Sequence, residues 1–186
     1  MTCEGGRGKG EGGVRPPVCA RLMSRTSALH VAAGNNNLAV LDEVLRLPPV
    51  EQNAALTSRD GGNNTPLHIA SYKGNLLFVQ KILLSCSLAH YSVDLPNLVN
   101  DNGNSPLHLA VLGNHRPVVQ ALLAASPPSD FNLKDKQGYT PIHYACGEGY
   151  LDVAQVCDAN RRARSGTQSH AHVTCRSCTR RAPPST

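Results

Sequence analysis

The hexapeptide Thr-Pro-Leu-His-Ile-Ala at residues 65–70 recurs along the chain with few changes. It returns as Ser-Pro-Leu-His-Leu-Ala at 105–110 and as Thr-Pro-Ile-His-Tyr-Ala at 140–145. A fourth copy, Ser-Ala-Leu-His-Val-Ala at 27–32, lacks only the proline. The histidines are 38, 40 and 35 residues apart, so the sequence predicts four tandem copies of one structural unit.

Each hexapeptide has the composition of a helix start. Thr or Ser in the first position can cap free backbone amides, and proline next suits the first helical position, where no amide donor is needed. Six residues after each histidine stands a Gly or Asn, which tolerates the left-handed conformation that ends many helices. Asn63, Gly103 and Gly138, five residues before the last three histidines, suit a tight turn. The sequence therefore predicts a repeated helix–turn–helix unit with hairpin-like loops between units.

In period and motif the chain resembles the ankyrin-repeat family from about Arg21 to Val156. The resemblance implies an all-α solenoid in which each motif histidine is structural and hydrogen-bonds from its helix to the adjacent hairpin backbone. The structural motif residues are Thr65, Pro66, His68, Ser105, Pro106, His108, Thr140, Pro141 and His143.

Three segments are expected. Residues 1–21 are basic and rich in glycine, and residues 159–186 are rich in Arg, Cys and His without helical periodicity, so both are predicted to be disordered tails. The ankyrin-repeat domain is expected at 22–158, with repeats near 22–58, 59–98, 99–133 and 134–158. First helices are expected near 27–34, 66–73, 106–113 and from Thr140, second helices near 38–47, 76–86, 116–125 and from Leu151, and long connections at 47–58, 87–97 and 126–131.

The fourth repeat departs from the apolar pattern in its second helix. Where the third repeat has Leu122 and Leu123, the fourth has Cys157 and Asp158. Because an aspartate at a core position is costly unless it is paired, we expect this repeat to be truncated. Its last helix should fray and leave an apolar face partly open.

Charge and cysteine content limit the functional classes. Residues 1–26 and 159–186 carry net charges of +3 and +6, whereas residues 27–158 carry −4, which argues against nucleic-acid binding by the repeats. Seven scattered cysteines are not a secreted disulfide framework, and neither a signal peptide nor a membrane-spanning stretch is recognisable. The sequence predicts a protein of the cytoplasm or nucleus, with no membrane association.

One cluster outside the repeats has metal-ligand spacing. His170, His172, Cys175 and Cys178 combine imidazoles and thiolates that suit tetrahedral zinc, but all four ligands are crowded into nine residues. An incidental sequence is the alternative. No phosphate-binding loop, nucleophile elbow or zinc-protease motif is present. We therefore expect neither enzymatic activity nor a cofactor.

The family resemblance places partner binding on the concave face of the solenoid. Tyr72, Leu112 and Tyr139 should present apolar or aromatic groups in one groove, the kind of residue that contributes most binding energy. Alternatively, Tyr139 packs on its neighbouring hairpin and Leu112 on the adjacent repeat. The expected partner-binding residues are Tyr72, Lys73, Asp101, Asn102, Asn104, Leu112, Lys136, Gln137, Tyr139 and Glu148.

The function expected from the resemblance is non-enzymatic protein–protein interaction by a monomeric adaptor, scaffold or regulator, with another protein as partner. Two alternatives remain at this stage. One is a nucleic-acid- or zinc-associated role through the basic C-terminal segment. The other is that the chain is a truncated fragment of a larger ankyrin-containing signalling protein.

Overall fold

The fold is taken from a computed structural model, which describes residues 27–89, 94–125 and 128–165. Within these residues the chain forms nine α-helices and one short 3-10 helix, and no strand. The predicted all-α class is confirmed. The segment predicted as disordered at 1–21 lies outside the described residues, as does the larger part of 159–186.

Helices of the same type pack on one another along the chain. The first helices are α1 (Ala28–Gly34), α4 (Pro66–Lys73), α6 (Pro106–Leu112) and α8 (Pro141–Gly147). The second helices are α2 (Leu38–Leu45), α5 (Leu76–Ala89), α7 (Arg116–Ala124) and α9 (Leu151–Ser165). Each first helix contacts the first helix of the next repeat, and each second helix contacts the next second helix. Two parallel helical layers result, as expected of a solenoid.

Local sequence explains where the first helices begin and end. The prolines of the last three motifs occupy the first helical turn of α4, α6 and α8. The left-handed conformation follows each first helix, at Asn36, Gly74, Asn114 and Gly149. Ala70, the motif alanine of the second repeat, is fully buried, as are its counterparts in the third and fourth repeats, so neighbouring helices approach closely.

The connection at 47–58 contains a helix that the sequence did not predict. Pro48 and Pro49 are interpretable as a helix stop, yet Pro49 also begins α3 (Pro49–Leu56), because the first helical position needs no amide donor. The Gln52 side-chain amide donates to the carbonyls of Leu45 and Leu47, both at 2.6 Å, and so caps the end of α2. Leu56 packs in the core. The connection is therefore a packed element of the fold. The connection at 87–97 likewise contains a 3-10 helix, Leu95–Asn97.

The last helix extends beyond Asp158, the predicted end of the domain. Helix α9 continues to Ser165, so the expected fraying at Cys157 and Asp158 does not occur. Cys157 is buried within the core cluster. The largely buried Asp158 carboxylate forms an ion pair with Arg162, with Oδ2 and Nη2 2.6 Å apart. A small apolar thiol and a paired carboxylate thus replace the two apolar residues of earlier repeats. Among the described residues, no helix is long and apolar enough to cross a membrane.

Candidate functional site

The motif histidines connect each repeat to the next. In every repeat the backbone N–H of the capping Ser or Thr donates to histidine Nδ1 at 3.1–3.2 Å. Because Nδ1 accepts this bond, the ring proton of the neutral imidazole lies on Nε2. The Nε2 groups of His30, His68 and His108 then donate to the carbonyls of Asn64, Asn104 and Tyr139, at 2.9, 3.1 and 3.2 Å. These three bonds run from a helix to the adjacent hairpin backbone, which is the contact that the family resemblance implies.

Burial keeps the interior histidines neutral. Removal from water lowers the pKa of His68 to about 4, although the Asn104 carbonyl acts in the opposite direction. Burial also lowers the pKa of His108. A protonated ring could not accept at Nδ1, so the neutral form is the one that the junction requires.

Each hairpin is held by an aspartate or asparagine that the sequence interpretation missed. Asp60, Asn100 and Asp135 begin the three five-residue turns at 60–64, 100–104 and 135–139. The side-chain Oδ1 of each accepts two backbone N–H bonds from within its own turn, at 2.8–3.0 Å. The sequence does carry a signal for them, because an Asp or Asn stands eight residues before each of His68, His108 and His143. Because such side chains fix the turn locally, the hairpins are preorganised.

The carboxylates in these turns remain ionised. Burial acts to raise the pKa of Asp135, but hydrogen bonds from Tyr144, Tyr139 and Gln137 outweigh it and the net pKa is lowered. The Asp135 carboxylate accepts from the Tyr144 hydroxyl and raises the tyrosine pKa to about 12. The pKa of Asp60 is lowered in the same way, as hydrogen bonds from Asn64 and Gly62 outweigh its burial.

Consecutive hairpins are also joined through their backbones. The Asp101 N–H donates to the Gly62 carbonyl at 3.1 Å, and the Lys136 N–H donates to the Asn102 carbonyl at 3.0 Å. Side-chain amides add a further bond, from Asn100 Nδ2 to Asn64 Oδ1 at 2.8 Å. The three hairpins therefore form one continuous hydrogen-bonded ladder.

A second set of contacts joins the opposite ends of the first helices. Asn75 Nδ2 donates to the Ala33 carbonyl at 2.6 Å, and His115 Nε2 is 2.9 Å from the Tyr72 carbonyl. The His115 ring lies so close to Gly74 that a Cβ there would be 2.4 Å from Nδ1. Sequence reasoning missed these contacts, although both residues follow the motif histidine by seven positions.

The predicted partner-binding residues fall into two groups at opposite ends of the first-helix layer. One group lies at the hairpins: Asp101, Asn102, Lys136, Gln137 and Tyr139, all exposed. The other lies at or just beyond the helix C-termini: Tyr72, Lys73, Leu112 and Glu148, of which Leu112 is half-buried and the rest are exposed. Since a helix of eight residues is about 12 Å long, the structure does not bring Tyr72 and Tyr139 into contact within one groove.

Asn104 is a correction to the predicted surface. Asn104 is only 8% exposed. Its backbone N–H donates to Asn100 Oδ1, and its carbonyl accepts a hydrogen bond from His68. It belongs to the ladder rather than to a partner-facing surface. The reason is its place as the last residue of the turn, where its carbonyl faces the histidine of the preceding repeat.

The two tyrosines are the large aromatic groups of this surface. Tyr72 is 51% exposed and Tyr139 is 50% exposed. The Tyr139 ring packs edge-on against Tyr144, with ring centroids 5.9 Å apart, and lies 6.1 Å from the His143 ring. The Tyr139 ring thus packs on the first helix of its own repeat rather than on the neighbouring hairpin, and half of its surface stays open. The Lys73 ammonium lies 5.9 Å from the Tyr72 ring centroid.

The proposed zinc ligands His170, His172, Cys175 and Cys178 lie outside the described residues. Within the part of the chain that the structure describes, no group of three or more His, Cys, Asp or Glu side chains is arranged to hold a metal ion.

Comparison with known families identifies the class. The family profile "Ankyrin repeats (3 copies)" matches residues 81–160, and the profile "Ankyrin repeat" matches residues 62–99. Together the two matches cover more than half of the chain. The chain belongs to the ankyrin-repeat family, and ankyrin repeats are protein-interaction modules.

Two curated relatives and one solved structure are similar to this chain. Human SMC5-SMC6 complex localization factor protein 1 is 29% identical over 150 residues, which cover 78% of this chain and 13% of the relative. The poly [ADP-ribose] polymerase tankyrase of Caenorhabditis elegans is 32% identical over 140 residues, which cover 68% of this chain and 6% of the relative. The chain therefore spans only a small part of these relatives.

The solved structure is of the yeast ribosomal protein Rps3 in complex with its chaperone Yar1. A chain of that complex matches with a TM-score of 0.61 and 27% identity, over 68% of this chain and 86% of that chain. The likeness supports the helical-repeat fold independently of the family profiles.

Proposed function

We propose that the protein is a non-enzymatic adaptor, scaffold or regulator that binds a protein partner across its first helices and hairpins. The observation that carries the proposal is the pair of half-exposed tyrosines, Tyr72 and Tyr139, on a backbone fixed by the hairpin ladder. Exposed aromatic side chains on a rigid support bind at low entropic cost, because little ordering remains to be done on association.

The surrounding charges favour a protein over a phosphate backbone as partner. Lys73 and Lys136 lie on the same surface as Asp101 and Glu148, and all four are exposed. A rim of mixed sign is typical of protein interfaces, whereas nucleic-acid surfaces concentrate positive charge.

The chemistry of the described cysteines fits a reducing compartment, and we place the protein in the cytoplasm or nucleus. Cys86 and Cys157 are buried and take part in no disulfide. Burial raises the pKa of Cys86 and of Cys157 to about 11, so both thiols stay protonated and inert.

Affinity purification with the full chain, followed by mass spectrometry, tests the proposal. Tyr72→Ala and Tyr139→Ala should each lower recovery of the partner at least about tenfold, in the range of an interface hot spot. Leu77→Ala is the matched control, because Leu77 is 55% exposed but lies on second helix α5. Circular dichroism verifies that each variant is folded.

The same experiment separates the alternatives. Partners that Tyr72→Ala and Tyr139→Ala retain, but that nuclease or a zinc chelator removes, would move the function to the basic C-terminal segment and overturn the proposal. Partners lost equally with Leu77→Ala would show that the second-helix layer is the binding surface.

A further inference from the structure

Each junction between repeats uses the same two types of hydrogen bond. Among the described residues, the fourth repeat has no partner for its half of either bond. One bond joins the motif histidine Nε2 to the carbonyl of the last residue in the following turn. The other joins the N–H of the second turn residue to the carbonyl of the third residue in the preceding turn, as between Lys136 and Asn102. In the fourth repeat the equivalent groups are His143 Nε2 and the Gln137 carbonyl.

These two groups are oriented but unpaired among the described residues. His143 Nδ1 accepts from the Thr140 N–H at 3.1 Å and contacts Thr140 Oγ1 at 2.7 Å, as in the interior repeats. Its ring is therefore positioned like those of His68 and His108, with the Nε2 proton available to an acceptor. Yet His143 is exposed, whereas His68 and His108 are buried.

Within the part of the chain that the structure describes, the glycines of the fourth repeat have no neighbouring repeat against them at either edge. A Cβ at Gly103 would lie 2.7 Å from the Lys136 nitrogen of the next hairpin, but a Cβ at the equivalent Gly138 would meet nothing within 4 Å. At the opposite edge, a Cβ at Gly74 would collide with the His115 ring of the next repeat. The equivalent Gly149 again has nothing within 4 Å. At these two positions the fourth repeat therefore exposes backbone that the interior repeats bury against a neighbour.

We propose that this end face, defined by Gln137, Gly138, Tyr139, His143 and Gly149, docks a segment of another polypeptide that has the fold of an ankyrin repeat. The segment must begin with a turn of the Asp/Asn type and continue into a Ser- or Thr-capped helix. Its turn would offer an N–H to the Gln137 carbonyl and a carbonyl to His143 Nε2, and its helix–helix turn would cover Gly149. The interface already exists at the interior junctions, and the end face continues it.

A second copy of this chain is a poor occupant. Its first described turn is 60–64, and the carbonyl that would meet His143 belongs to Asn64. That carbonyl already accepts from His30 of the same chain at 2.9 Å, and α1 packs against α4 beside it. In the proposed complex the docking segment belongs to a different polypeptide, one whose leading turn is not covered by a repeat of its own.

A tethered segment tests the proposal. Residues 59–165 are appended after Thr186 of the full chain. Without repeat 1, the Asn64 carbonyl of this leading turn keeps its bond from the Asp60 N–H but lacks the one from His30. The 21 residues at 166–186 then act as a linker that places the segment near the end face at high effective concentration. Hydrogen exchange of the original residues 135–147 is compared with that of the unextended chain.

We expect exchange in 135–147 to slow at least about tenfold on extension, and His143→Ala in the original repeat to abolish the slowing. Tyr72→Ala should leave the slowing of exchange unchanged. The outcome of this test is therefore independent of the outcome for the proposed partner surface, although that surface also includes Gln137 and Tyr139. Appended repeats that remain unfolded by circular dichroism, or that fold without slowing exchange, would overturn the proposal.

Two further outcomes would assign the face to another occupant and would equally overturn the proposal. The first is sedimentation of the unextended chain as a dimer that His143→Ala dissociates. The second is faster exchange in 135–147 when residues 166–186 are removed, since the chain's own C-terminal segment would then cover the face.

Discussion

His68 is buried and neutral at the junction between the second and third repeats, which makes stability depend on pH. Burial lowers its pKa from the ordinary value of 6.5 to about 4. The unfolded chain takes up this proton near pH 6.5, so the stabilisation is fully present above that pH and is lost as the pH falls from 6.5 towards 4. Lowering the pH from 7.5 to 4.5 should cost roughly 2.5 kcal/mol of unfolding free energy at His68 alone. His108, whose pKa burial also lowers, adds to the loss.

Urea unfolding followed by circular dichroism at the two pH values measures this loss. His68→Gln is the control, because it removes the titrating group; it should be less stable at pH 7.5 but lose about 2.5 kcal/mol less on acidification. Asp60 and Asp135 have lowered pKa values, so their contribution is lost mainly below pH 3.8, outside the chosen range. A wild-type protein that loses no more stability than His68→Gln would refute the reasoning.

Three further predictions concern single side chains. Gly103→Ala should lower the free energy of unfolding by about 2–4 kcal/mol and Gly138→Ala by only about 1–2 kcal/mol. Both glycines have positive φ, but only Gly103 faces the next hairpin. Urea unfolding measures both losses, and equal losses would contradict the prediction. Gln52→Ala should lower the free energy of unfolding by about 1–3 kcal/mol, because two hydrogen bonds to backbone carbonyls are lost. The loss is measured as a shift in the thermal midpoint, and an unchanged midpoint would mean that α3 does not support α2. Cys86 and Cys157 should react with a thiol reagent at pH 8 at least about a hundredfold more slowly in the native protein than in the urea-unfolded protein. Mass spectrometry of the labelled peptides measures both rates. Fast labelling of the native protein would show that the burial of these thiols is transient.

The motif allowed the first helices to be predicted because it carries three local signals together. The cap, the first-turn proline and the left-handed residue after the helix each act within a few positions of the backbone. These signals fixed α4 and α6 to within one residue of their observed ends. The neighbouring turns were also predictable in position, since Asn63, Gly103 and Gly138 all adopt positive φ.

The remainder depends on contacts between distant residues. Pro48 and Pro49 carry the same local signal whether a helix stops or a new one starts, and the burial of Leu56 favours the second outcome. Asp158, at the end of the last repeat, suggests from sequence that the helix ends there. Arg162, one turn later, forms an ion pair that neutralises its charge. For the partner surface, motif phase placed Tyr72 and Tyr139 on the first-helix side but could not show that a helix length separates them.

The hydrogen bonds between repeats join equivalent positions, which makes the molecule tolerant of changes in repeat number. Excising residues 68–107 would place His108 directly after Pro66 and Leu67, in the slot of the lost His68. Its Nδ1 would find Thr65 as a cap in place of Ser105, and its Nε2 would still face the carbonyl of Tyr139. Loss or gain of a whole period therefore restores the histidine bonds and the backbone bonds between hairpins, whereas a change of a few residues leaves a buried imidazole without its partner. Genetic variation in this chain should accordingly be tolerated in steps of one period, and the array can lengthen or shorten without redesign of its junctions.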